Sequence, residues 1–533
     1  MQQYRTAVFS FAAAFLLGKL NFAGAVTIEP NLVFDDVNVL VITDVHSWVA
    51  GHGRQEPKYD ADYGDVLSFY EHLKNYLEEK GQDLWFVSNG DFVDGTGLSK
   101  TKDPSSLIPL LEKLPLDAAN CGNHELYNDE VIQYMTRPGG WIDWWGERYV
   151  TGNIMLNNEE PQRPMGHHYR ILKGKNSNLL VLGFLYNMRG ASSLVNITKV
   201  ENEVKSSWFQ NLPTAEGEDK VDAILVLAHM DLVDPLVQVI RRALRDIVGD
   251  KMPIQFITGH THYRGKKKLD DWSTSFEAGR YLDTVGFVSF PNKTSVSVGK
   301  EKNGDELFYS VFMDANKKVL AGHLGLDDGK QMQTHNGKDL TEFIGETRAK
   351  MGLLDEIGCA PQDYFSSAPL YDEQSLWRLY RDSVIPKTVF ANGIMFLSHE
   401  SWRYNLFSHQ NLIVDDIVVV APFNDTIIHL GMVPGRAILQ LNATINKGHQ
   451  HALPNYIMTG SVDDEEKMYD VYTHEFNEKD ILKDLHKIIP DKTFSPENTE
   501  YSSTLLWLSF VRENWPCNDE SYGFSSWVRR YLQ

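Results

Sequence analysis

Five short clusters of side chains able to bind a metal recur along the chain: Asp44-Val-His46, Asn89-Gly-Asp91-Phe-Val-Asp94, Gly122-Asn123-His124-Glu125, His229 and Gly259-His260-Thr261-His262. Imidazole nitrogens, carboxylates and an amide oxygen are hard or borderline donors. With no thiolate among them they suit Zn, Mn or Fe better than Cu(I) or a structural cysteine site. Seven donors exceed what one tetrahedral ion requires, and a carboxylate placed between two halves of the set can bridge a pair of ions. Two divalent ions about 3.5–4 Å apart lower the pKa of a shared water and neutralise the oxygens of an in-line displacement at phosphorus. A phosphate ester is the substrate such a set implies.

The elements that must position these clusters are legible as apolar runs. Val39–Thr43, Leu84–Ser88, Asp117–Asn120, Leu179–Tyr186, Ala223–Ala228 and Ile254–Thr258 read as buried strands, and nearly every one is followed at once by a cluster. Between the first two, Val66, Phe69, Tyr70, Leu73 and Leu77 recur at helical spacing, which predicts a packing helix within Asp62–Lys80. Strands alternating with crossover helices give an α/β layer architecture, in which loops beyond the carboxyl ends of strands converge on one crevice. Each cluster alone is weak, since a single His after a strand is commonly structural; the ordered set of five is not. His167, His168, His399, His409, His429, His451 and His474 lack this context. Asn316–Thr334 reads as a loop and Leu340–Leu354 as a charged amphipathic helix. Together they suggest a linker over 316–360 between a catalytic domain, 26–315, and a smaller C-terminal domain, 361–533.

Acidic residues number 72 against 51 basic ones, a formal net charge of −21, so a polyanion held by backbone contacts meets a repulsive mean field and a nucleic-acid polymer is excluded as partner. Arg5, the apolar run from Ala7 to Leu17 and the small residues Ala23-Gly-Ala25 predict a signal peptide over 1–25. That leader, with sequons at Asn196, Asn292, Asn424 and Asn442, fits the secretory pathway and an extracellular or vacuolar endpoint, with no membrane span in the mature chain. Only 3 cysteines are present; Cys359 and Cys517 are candidates for one bridge, and Cys121 reads as a small buried residue.

Taken together, D-x-H (Asp44, His46), G-D-x-x-D (Gly90, Asp91, Asp94), G-N-H-E (Gly122 to Glu125), His229 and G-H-x-H (Gly259 to His262) resemble the motifs of the calcineurin-like metallophosphoesterases. Gly90 to Gly97 and Glu277 to Gly286 are similar to segments of the 5′-nucleotidase and UDP-sugar hydrolase branch. So are Asn392-Gly393 with Arg403, and Ala421-Pro422-Phe423-Asn424, in the second half. The resemblance implies a four-layer β-sandwich flanked by helices, followed by a smaller α/β substrate-binding domain of the 5′-nucleotidase type. It implies two divalent ions, one held by Asp44, His46 and His262 and the other by Asn123, His229 and His260, with Asp91 bridging. His124 then serves the transition state or the leaving group, a metal-bridging hydroxide is the nucleophile, and Asn392 and Arg403 contact the substrate. The activity implied is hydrolysis of phosphate monoesters, nucleoside 5′-monophosphates first among them.

Two departures from the branch stand out. An Asp commonly follows its motif as N-H-E-x-D and orients the catalytic His, whereas this chain has Tyr127, which leaves Asp129 or a water for that task. Asn455 to Asp464 occupies the place of a G-G-D-G-[FY] segment and lacks its pattern, so Tyr456, Tyr469 and Phe423 become the candidates for stacking on a base, each with an alternative as packing. The sequon at Asn424 falls within the P-F-x-N contact. A phosphodiesterase or nucleotide-sugar pyrophosphatase on the same site, and a non-catalytic secreted binding protein on this scaffold, are the alternatives.

Overall fold

The apolar runs pair into two facing sheets. In the computed structural model, residues 27–99, 103–157, 162–213, 220–297, 307–448 and 453–517 are described; the leader 1–25 and His451 lie outside them. The first sheet runs, in spatial order, Tyr309–Asp314, Thr284–Phe290, Val37–Ile42, Trp85–Ser88 and Ala118–Ala119. The second runs Arg264–Asp270, Ser273–Ala278, Ile254–Thr258, Ala223–His229, Asn178–Leu185 and Tyr169–Lys173. The strands that end in metal-competent clusters are mutually parallel within each sheet, so their carboxyl ends, and the clusters, emerge on one side.

Alternation along the strands builds the layers. Val37, Val39, Val41 and Val87 of the first sheet meet Leu179, Val181, Leu225, Leu227 and Ile257 of the second in one buried cluster. Leu40, Ile42 and Phe86 face the other way, onto Val66, Phe69, Leu73 and Leu77 of the helix Tyr63–Glu79. Leu180, Leu182, Ile224, Val226 and Phe256 likewise face Val237, Ile240 and Leu244 of the helix Pro235–Val248. The result is helix, sheet, sheet, helix, the four-layer arrangement expected. Arg264–Asp270 escapes an apolar-run reading because it is an exposed edge rich in lysine, a composition that blunts pairing with other chains.

Asn316–Thr334, expected as loop, instead holds the helices Lys317–His323 and Gly329–Met332, and the following helix spans His335–Lys350, earlier than expected. Local capping explains the difference. Asn316, Asp328 and Thr334 each accept hydrogen bonds from the backbone N–H groups of the turn that follows, which satisfies donors that otherwise have no partner. The longest of these helices is held on Tyr63–Glu79 by the bond from Thr341 Oγ1 to Asp62 Oδ1, 2.8 Å.

The second half is centred on a sheet ordered Tyr456–Thr459, Ile394–Ser398, Met468–His474, Thr426–Pro434, Glu497–Ser502, with helices Gly435–Ile445 and Glu478–Ile488 sharing its apolar cluster. Cys359 and Cys517 form a disulfide across a separation of 158 residues, and Cys121 is free and buried. Closing so long a loop restricts the unfolded chain strongly. Cys517→Ser is expected to lower unfolding free energy by about 3–5 kcal/mol, read from denaturant midpoints under non-reducing conditions. Of the sequons, Asn196 is exposed, whereas Asn292 is buried and donates to Ser177 Oγ at 3.0 Å.

Candidate metal centre

The loops that carry the donors leave their strands through backbone conformations that side chains rarely adopt. Asp44, His46, Asp91, His260 and His262 all have positive φ, between 47° and 76°. Such conformations cost on the order of 1–3 kcal/mol each and persist where the surroundings over-determine them. Here the loops are stitched together: Asp44 N donates to Gly90 O, His46 N to Asp91 O at 2.9 Å, and Tyr281 N to Asp44 O at 2.8 Å. A Cβ on Gly122 would strike Asp91 Oδ1, so the glycine before Asn123 is what lets two loops touch.

Two groups of donors result, each with ligand atoms within 4.8 Å of one another: Asp44, His46, Asp91 and His262, and then Asp91, His229 and His260. Asp91 belongs to both. Asn123 joins the second, its Oδ1 lying 3.1 Å from His229 Nε2. His46 Nε2 lies 3.2 Å from His262 Nε2 and 3.5 Å from Asp91 Oδ2, and His262 Nε2 lies 3.6 Å from Asp44 Oδ1. Donors held about 2.1 Å from a common ion fall about 3.0–3.5 Å apart. The spacing therefore fits a cation in each group.

Protonation points the same way for three of the four histidines, His46, His260 and His262. His46 Nδ1 is held by Val93 O at 2.9 Å and His229 Nδ1 by Asn89 O at 2.8 Å, which fixes the tautomer and leaves each Nε2 facing the centre. Burial, then the neighbouring His124 and His46 respectively, pushes His46 and His262 well below the ordinary histidine range, and burial with His229 takes His260 to about 4. Neutral imidazole is the metal-binding form. Burial would lower His229 too, but Asp91 and Asp44 outweigh it and hold it at about 10; burial and the nearby Asp91 raise Asp44 to about 7. Two imidazole nitrogens 3.2 Å apart beside two crowded carboxylates, all but that of His262 fully buried, are a donor set suited to a cation.

Glu125 carries a role that its place in G-N-H-E did not disclose. Its buried carboxylate accepts from the N–H groups of Asp91, Phe92, Val93 and Gly122, at 2.7–3.2 Å, clamping two donor loops. Glu277 does the same for the G-H-x-H loop, accepting from Thr261 Oγ1 at 2.7 Å and Tyr263 N at 3.1 Å. Glu125→Ala leaves four buried donors unpaired at about 1–3 kcal/mol each. A stability loss of at least about 3 kcal/mol is expected by denaturant titration.

His124 lies beside the donors, its ring centroid 4.6 Å from that of His46. Its Nδ1 meets Asp94 Oδ2 at 3.0 Å. Asp129, expected as a possible partner, is exposed and accepts from Ser192 Oγ instead, because it begins the helix Asp129–Thr136 on the outer side of the turn. Asp94 was visible in G-D-x-x-D, but only the approach of two loops makes it a neighbour of His124. Arg403 reaches the same side: its guanidinium lies 5.6 Å from the ring centroid of Phe423, which stacks 6.0 Å from His124, and its charge helps depress His46, His260 and His262. Asn392 lies apart, exposed in the turn before the strand Ile394–Ser398, and the length of that strand separates it from Arg403. Tyr469 is core, its hydroxyl engaged by Asp463 N and Asp464 N. Phe476, not foreseen, is 62% exposed with its ring 6.3 Å from Tyr127. His168 stacks on Trp208, and His429 pairs with Asp470.

Comparison with known proteins agrees with this geometry. Residues 37–264 match the calcineurin-like phosphoesterase model. The uncharacterized protein YHR202W of Saccharomyces cerevisiae is 28% identical over 410 residues, 73% of this chain and 67% of that one. A protein of Arthroderma benhamiae named a secreted protein is 27% identical over 461 residues, 78% of this chain and 68% of its own length. The crystal structure of a 5′-nucleotidase from Candida albicans shares the fold at a TM-score of 0.80 and 23% identity, covering 91% of this chain and all of its own. A 5′-nucleotidase precursor from Thermus thermophilus does so at 0.62 and 13%, covering 91% and 98%. Among the described residues no helix is long and apolar enough to cross a membrane. Residues 37–264, with the donor loops on one side of their sandwich, match a calcineurin-like phosphoesterase domain, which indicates a phosphoric ester hydrolase, and the chain that carries them shares its fold with these 5′-nucleotidase structures.

Proposed function

We propose that this protein is a dinuclear-metal phosphomonoesterase acting on nucleoside 5′-monophosphates, outside the cell or in a vacuole. The observation that carries the reading is the convergence of the donors into two groups that share Asp91. Asp44, His46, Asp91 and His262 would hold one ion, and Asp91, Asn123, His229 and His260 the other. When bound, such ions supply water activation near neutral pH and neutralise charge on the phosphoryl oxygens.

The remaining work falls to the chain's own side chains. Asp94 holds His124 through Nδ1, which presents Nε2 to the leaving oxygen and stabilises the imidazolium that gives up its proton. Arg403, always charged and without a carboxylate partner among the described ion pairs, offers its donor fork to the phosphoryl group. Phe423 and Phe476 add aromatic surface beside His124 and Tyr127, support for a substrate that bears a base. The relative named a secreted protein, and the apolar N-terminal run, support the compartment.

The test is phosphate release by the purified chain after chelation and re-addition of Zn, Mn or Co. Mononucleotides, a nucleotide sugar, a cyclic nucleotide and an aryl phosphate are compared. Metal-restored release from mononucleotides above the others is expected. Release from the nucleotide sugar or cyclic nucleotide alone reassigns the substrate, and bound metal without turnover overturns the enzymatic reading.

A further inference from the structure

We infer that Tyr127 is a positioning residue for the second group of donors, holding the Asn123 amide so that its oxygen faces the cation site; the inference rests on the dinuclear reading above. Asn123 Nδ2 donates to the Tyr127 hydroxyl at 3.2 Å, while Oδ1 faces His229 Nε2 at 3.1 Å. A carboxamide can turn over, and the turned form would point two N–H groups at a cation. An acceptor on the outer side is what favours the useful orientation. The short helical turn His124–Leu126 brings positions 123 and 127 to the same side, and a phenol is long enough to span the gap.

A second tyrosine lies beside the hydroxyl. The Tyr186 hydroxyl interacts with it electrostatically, and the Tyr186 ring stacks on His260 with centroids 4.5 Å apart and planes 27° apart. The two tyrosines thus touch Asn123 and His260, both in the second group. Among the described residues, neither makes a hydrogen bond, ion pair or ring contact with Asp44, His46 or His262 in the first. The Tyr found where relatives of the nucleotidase branch place an Asp is accounted for by this arrangement. The carboxylate for His124 is supplied from the other loop by Asp94, 3.0 Å away, which leaves position 127 to serve the amide.

The consequence is selective. Removing an outer partner of a ligand weakens metal affinity by about 10–100-fold, and here the loss falls on one ion of two. The experiment titrates zinc chloride into the chelator-stripped full chain by calorimetry, for wild type, Tyr127→Phe, Tyr186→Phe and Asn123→Ala. Wild type is expected to bind two ions. Tyr127→Phe should weaken one by about 10-fold or more and leave the other unchanged, matching the site lost in Asn123→Ala, with Tyr186→Phe in the same direction and smaller. Hydrolysis by Tyr127→Phe should return at higher zinc, with KM unchanged. Two ions bound by Tyr127→Phe as tightly as by wild type, with Asn123→Ala defective, overturn this inference alone. A wild type that binds fewer than two overturns the dinuclear reading and the inference with it.

Discussion

Asp91→Ala is expected to abolish metal-dependent phosphate release, by about 10³-fold or more, without unfolding the chain. Asp91 belongs to both donor groups, its Oδ2 lying 3.2 Å from His229 Nε2 and 3.5 Å from His46 Nε2. Its loss would therefore remove a ligand from each of the two proposed ions at once. Several kcal/mol of charge stabilisation at the phosphoryl group go with the ions, and each 1.36 kcal/mol is tenfold in rate. The fold survives because the carboxylate does not bind the core. Asp91 is fixed by Glu125, which accepts its N–H at 2.9 Å, and its own Oδ1 accepts only from His124 N at 2.9 Å. Relief of crowding with Asp44, whose carboxyl burial and Asp91 raise to about 7, offsets part of what is lost. The measurement pairs metal content of the dialysed variant with turnover at saturating substrate. Two tightly bound ions, or activity within tenfold of wild type, would contradict the shared-ligand assignment.

Asp94→Asn is expected to lower kcat by about 10²–10⁴-fold toward nucleoside monophosphates, the range over which a positioned proton donor contributes, while metal content stays at wild-type level. The asparagine keeps the shape and can still accept from His124 Nδ1, but it no longer bears the charge that stabilises the imidazolium. The leaving group separates this role from a structural one. A nucleoside 5′-oxygen needs a proton as it departs and a nitrophenolate does not, so the loss with p-nitrophenyl phosphate should be less than about tenfold. Equal losses on both substrates would place Asp94 in support of the loop instead of in proton transfer. His124→Ala should show the same contrast, and the double variant should be little worse than either single one, as expected of residues acting as a unit.

The donor set, the strands that precede it and the packing helix were legible because they are local. An apolar run of β-prone residues makes a buried strand, Val66 to Leu77 at helical spacing make a buried face, and a polar cluster just beyond a parallel strand has one place to go. The ordered set of five also pointed to the phosphoesterase family before any residue was placed in space. What tertiary structure decided were relations between loops that no sequence distance records. Asp94 and His124 are 30 positions apart, and Glu125 clamps backbone 32 to 34 residues upstream; neither contact has a periodicity to betray it. Asn392 and Arg403 were paired as substrate contacts by resemblance alone, and the structure adds that a strand of 5 residues, Ile394–Ser398, intervenes between them. The helices at Lys317–His323 and Gly329–Met332 depend on single capping side chains, too short a signal to stand out in polar sequence. Side-chain chemistry and periodicity are written along the chain, whereas a hydrogen-bonded partner on another loop is fixed only when the sandwich brings the carboxyl ends of its strands together.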